Sequence, residues 1–164
     1  QRFVADRQSS CLRYNQLLCG RPHWGAGKGK MKYFRVHTKD IAYITQQPRG
    51  IFTAIGKLVD SKTMSEDEIK EYWKNREYFE RILPVPPYYE KGNPDKAITW
   101  FKDNAEGNDI FNQMTFYIKM ATKYNLVLYK SETEEIPGEI IYEDEFQIAV
   151  KNCRNENIRR YELS

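Results

Sequence analysis

Cysteine and histidine are scarce in this 164-residue chain, with three of the first and two of the second. Cys11, Cys19 and Cys153 are odd in number and irregular in spacing, which excludes a disulfide framework and fits a reducing compartment. Cys11, Cys19 and His23 lack the close pairing of zinc ligands and have no fourth partner nearby, so no metal is expected. No nucleophile-elbow serine motif occurs, and beyond residue 30 the only thiol and imidazole are Cys153 and His37. Long apolar runs are missing too. Nothing approaches the roughly 18 to 20 residues that cross a bilayer as a helix, and the first residues lack the apolar stretch of an export signal. These absences leave a cytoplasmic protein without a membrane as the expectation.

Positive charge is missing from most of the chain. The net charge is +3, yet residues 1–30 hold six cations against one acid, while residues 31–164 hold 20 cations and 22 acids. The slightly acidic body offers no broad cationic footprint, so binding to nucleic acid is not expected. Residues 1–30 end in Gly25-Ala-Gly-Lys-Gly-Lys30 and are followed by Met31 and a regular apolar pattern. They read as a basic flexible leader, foreign or upstream-encoded, or as an organellar presequence. The glycines and lysines fail the phosphate-loop pattern, because Met31 stands where a serine or threonine is required. Residues 31–164 fit a single domain.

In that domain the spacing predicts strands and helices in alternation. Phe34 and Val36 alternate with Tyr33, Arg35 and His37, which places Arg35 and His37 on one face of a strand. Ile51, Phe52, Ile55, Leu58 and Val59 have helical spacing, predicting a helix over 51–60. Ser65 to Glu68 form a capping box ahead of Ile69, Tyr72, Trp73, Phe79 and Leu83, predicting a helix over 66–82. A third helix is expected over 109–124, with Asp109 as its cap. Strands are expected at 32–37, 97–102, 126–131 and 139–151. The fold class is therefore α+β: one small, mainly antiparallel sheet covered on one face by two or three helices.

The stretch Glu139 to Lys151 is apolar at even positions except Asp144. A three-residue loop, Glu143 to Glu145, keeps that face intact by setting Tyr142 opposite Phe146 and Ile140 opposite Ile148. The pattern thus expects three solvated acids at a hairpin tip, or on one long bent strand. Arg35, Lys102 or Lys130 on a neighbouring strand could pair with them. As a cation site the three acids fail, since adjacent strand residues point to alternating sides and cannot converge.

The blocks Gly50-Ile-Phe-Thr-Ala-Ile-Gly56, Leu83-Pro-Val-Pro86, Ala97-Ile-Thr-Trp-Phe-Lys102 and Pro137-Gly-Glu-Ile-Ile-Tyr-Glu-Asp-Glu-Phe-Gln147 resemble an uncharacterised family of small bacterial proteins. The resemblance implies a bacterial cytoplasmic origin and a start near Met31, and lends no activity. The order of elements also resembles that of ADP-ribosyltransferases. That likeness implies NAD as cofactor, held by Arg35 or His37, with Glu143 and Glu145 fixing the ribose and activating the acceptor. The helical spacing of Ile51 to Val59 and the hairpin parity of the acids depart from it. Trp73, Tyr88, Tyr89 and Trp100 are candidates to line a site for a planar ligand, with core packing of helix 66–82 on the sheet as the favoured account of Trp73 and Trp100. Two functions follow from these readings. One is a non-enzymatic binding or regulatory domain for a protein or small-molecule partner, with no catalytic residue and no cofactor. The alternative is an NAD-dependent transferase.

Overall fold

The computed structural model describes residues 31–103, 109–154 and 156–163. The leader, with Cys11, Cys19 and His23, lies outside the described residues. Strands β1 (Lys32–Ile41), β2 (Pro48–Gly50), β3 (Ile98–Asp103), β4 (Leu128–Thr133), β5 (Glu139–Glu143), β6 (Gln147–Lys151) and β7 (Arg159–Leu163) form one sheet. Its order is β5-β6-β3-β1-β4-β7, with β2 attached to β1. Every pairing is antiparallel. The helices are α1 (Ile51–Asp60), α2 (Glu66–Ile82), α3 (Ile110–Gln113) and α4 (Thr115–Lys123). The architecture is α+β, and β2 and β7 extend the sheet beyond the four strand regions that the pattern predicts.

The helices lie on one face. Phe34 and Val36 of β1, Phe101 of β3 and Leu128 of β4 meet Ile51, Ile55, Tyr72, Phe79, Tyr117 and Met120 in one buried cluster. The partly buried Phe52 packs edge-on against Phe79 and Tyr117 of this cluster, with ring centroids 5.0 and 4.9 Å away. Helix α2 begins at the predicted capping box: Ser65 Oγ accepts from the Glu68 amide, and Glu68 Oε1 accepts from the Ser65 amide. Tyr33 packs in a separate cluster with Ile98 and Trp100, and Arg35 and His37 line a cleft beside it, so these three lie on the other, outer face, as the alternation predicts.

The sequence predicts one helix over 109–124, whereas the chain breaks at Met114. Asp109 caps as expected by accepting from the Asn112 amide. The Thr115 hydroxyl then donates to the Asn112 carbonyl, 2.6 Å away, and competes with the helical ladder at the break.

The hairpin is real, but its register differs from the expected one. Ile140 faces Val150, Tyr142 faces Ala149 and Glu143 faces Ile148, with a bulge at Ile141. Asp144 is the cause. Its Oδ1 accepts from the amides of Phe146 and Gln147, and its Oδ2 accepts from Tyr142 Oη and Gln147 Nε2. The turn therefore closes from Asp144 to Gln147, and Glu143 joins the strand instead of the tip. The bulge on the edge strand β5 absorbs the odd residue.

Candidate functional site

Two features of the topology build a cleft on the outer face. Beyond Phe34, β1 leaves β3 and pairs with β2, His37 facing Gly50 and Ile41 facing Pro48. The chain from β6 to β7 must also pass β3, β1 and β4, four strand spacings or about 19 Å in all. Residues 152–154 and 156–158 lie on that crossing, over the outer face. Cys153 and Ile158 of this strap pack on Tyr33, Ile98, Trp100, Ile148 and Val150. Between the strap and the β2 segment lies a small cleft of about 10 Å³. It has room for a small group only.

Arg35, His37, Trp100, Ser131 and Arg160 line the cleft, with Cys153 at its edge. Ser131 sits between Arg35 of β1 and Arg160 of β7 in the cross-strand register. A hydrogen-bond chain runs through it. Arg160 Nε donates to Ser131 Oγ at 3.3 Å, and Ser131 Oγ lies 2.7 Å from His37 Nε2. His37 Nδ1 lies 2.9 Å from the Thr38 carbonyl, which can only accept. The proton is thereby fixed on Nδ1, and Nε2 accepts from the serine hydroxyl. Burial lowers the His37 pKa to about 4, with the Arg35 and Arg160 charges acting in the same direction and the Thr38 carbonyl opposing them. The imidazole is neutral near pH 7.

Arg35 donates to the Pro48 carbonyl, which anchors it to β2. Burial is the main cause that lowers its pKa to about 10; the nearby Arg160 charge adds to the effect. Among the described residues no carboxylate lines the cleft, and none forms an ion pair with Arg35 or Arg160. Trp100 is 3% exposed, and its indole Nε1 has no hydrogen-bond acceptor among the described residues. A donor left so costs roughly 1–3 kcal/mol. Arg35 and Arg160 thus line one small space together with Trp100, whose buried indole N–H is orphaned.

The other candidates lie elsewhere. Glu143 Oε1 accepts from Lys102 Nζ at 2.7 Å, and Lys102, 1% exposed, also donates to the Asp144 carbonyl. Lys102 is thus the cation, of the three foreseen, that pairs with Glu143. The expectation that all three acids are simply solvated fails, because Glu143 holds a buried lysine and Asp144 closes the turn. Glu145 is exposed in that turn, outside the cleft. Trp73 is 48% exposed on α2 beside Arg76, so it is not the core residue expected. Trp100 is buried, but on the face away from the helices. Tyr88 and Tyr89 pack against each other at 4.4 Å, and Tyr88 Oη bonds Thr99 Oγ1 at 2.8 Å. Burial raises the Tyr88 pKa, and both tyrosines lie close enough to influence the Arg35 charge.

The sequence reading does not foresee Ser131 and Arg160. Arg159, Tyr161 and Leu163 alternate with Arg160 and Glu162, a short strand signal that would have put Arg160 on a definite face. Nothing in the sequence announces that β7 lies next to β4. Among the described residues no group of His, Cys, Asp and Glu could hold a metal ion, and no helix is long and apolar enough to cross a membrane. No protein family, curated protein or solved structure matches the chain.

Proposed function

We propose that the chain is a non-enzymatic binding domain, acting inside a bacterial cell as the family resemblance implies, that takes a small ligand in the outer-face cleft. The observation that carries this reading is the buried indole N–H of Trp100, a residue that lines the cleft beside Arg35 and Arg160, which has no acceptor among the described residues. A folded domain seldom leaves a buried donor unmade unless something else satisfies it. The transferase alternative needs a carboxylate beside Arg35 or His37. Glu143 is engaged by Lys102 and Glu145 lies outside the cleft, which favours binding over catalysis. His37 is a weak general base here, since burial lowers its pKa to about 4.

Two measurements test this reading. Incubation with labelled NAD and a protein acceptor is expected to give no transfer; transfer that vanishes in both Arg35→Ala and Glu145→Gln would overturn it. A thermal-shift screen of small metabolites is expected to yield stabilising ligands whose effect is lost in Trp100→Phe.

A further inference from the structure

We infer that the group received by the cleft is a small oxyanion, the terminal phosphate or carboxylate of a ligand whose remainder stays outside. The inference rests on the binding reading above and specifies its ligand. Its basis is the imbalance of charge and donors. Arg35 and Arg160 bring two positive charges to one cleft, and among the described residues no acid lines it. An arginine presents five N–H donors in a fixed fork. Arg35 uses part of its fork on the Pro48 carbonyl, and Arg160 uses Nε on Ser131. Trp100 can only donate, and its N–H is unspent.

His37 sharpens the selection. With its proton fixed on Nδ1 and Nε2 accepting from Ser131, it brings no charge to the cleft near neutral pH and leaves no free lone pair for a donor ligand. A cationic ligand would meet only like charge. A neutral ligand could accept from Trp100 but would leave the two guanidinium groups uncompensated. An oxyanion satisfies both, and charge-assisted bonds to arginine are the stronger kind. The size agrees, because so small a cleft receives a small group and not a whole metabolite, so the anion must be a terminal group.

The test uses the full chain labelled with ¹⁵N, reading the indole N–H signals of its tryptophans. Trp100 is assigned by its disappearance in Trp100→Phe. Inorganic phosphate and acetate are titrated separately against chloride at equal ionic strength. The Trp100 signal is expected to shift and saturate with one of the two, while the exposed Trp73 stays in place. Phosphate alone identifies a phosphoryl ligand, and acetate alone a carboxylate. Arg160→Gln, at an exposed position on the edge strand, is expected to keep the fold and weaken the binding about tenfold or more. A Trp100 signal unmoved by both anions, or moved equally in Arg160→Gln, overturns the assignment. If a neutral compound from the thermal-shift screen moves that signal when the anions do not, the oxyanion falls and the binding reading stands. If nothing moves it, both fall.

Discussion

His37 shows how one residue can be legible in position and illegible in state. Alternation along β1 places it beside Arg35 on one face, but its neutrality comes from Ser131, 94 positions away, and from burial that no local pattern reveals. The depressed pKa has a thermodynamic consequence. Unfolded, the imidazole titrates near 6.5; folded, it does so near 4. As pH falls through 6.5 the unfolded chain takes up a proton that the folded chain refuses, so stability declines from there until about pH 4 and then levels. The full effect is about 3 kcal/mol. Urea unfolding at pH 7.5 and at pH 5 should therefore show a smaller decline in His37→Gln than in the parent chain. Equal declines in the two proteins would contradict a buried neutral imidazole. Trp100 was legible as a strand residue, but its face was not, because the apolar Ile98 and Phe101 around it lie on opposite faces and break the alternation.

At the scale of elements, the features that local chemistry decides were readable and those set by long-range register were not. Helices α1 and α2 occupy the spans that apolar spacing and the Ser65 box predict, since caps and a single-sided stripe are written within one element. The β5–β6 hairpin was readable as a hairpin, but parity alone missed the bulge at Ile141, because the Asp144 side chain and not the apolar face sets the turn. The entry to β5 shows the same dependence on a neighbour. A Cβ on Gly138 would stand 2.6 Å from the Lys151 carbonyl oxygen and 3.2 Å from the Val150 side chain. Backbone cannot yield as a side chain tip can. Gly138→Ala is expected to destabilise the protein by about 1–3 kcal/mol in denaturant unfolding, with the loss arising at the β5–β6 edge. Unchanged stability would mean that the close approach of the two strands relaxes without cost.

The whole molecule is a two-layer sandwich of helices and sheet whose second sheet face is closed by loops, and the candidate site follows from that asymmetry. The helix layer consumes Phe34, Val36, Phe101 and Leu128. The opposite face keeps charged and polar side chains of β1, β4 and β7 under a strap that also carries apolar cover in Ile158. The strap is fastened at one end by the Arg154 amide, which donates to the Pro137 carbonyl at 2.8 Å. Cys153 lies next to that fastening, and burial raises its thiol pKa above the usual value, with Arg35 pulling weakly the other way. Its reactivity therefore reports on the strap. In a Cys11→Ser/Cys19→Ser chain, where Cys153 is the sole thiol, alkylation should be slower than that of a free cysteine at the same pH. The rate should also keep climbing about tenfold per pH unit past the point where a free thiol levels, because the thiolate fraction is still rising there. An oxyanion held between Arg35 and Arg160 would neutralise the one charge that favours the thiolate, so a saturating anion should slow the reaction further. Alkylation as fast as that of a free cysteine, with an ordinary pH midpoint, would show that Cys153 and Ile158 do not cover the outer face in solution, and the cleft would lose its wall.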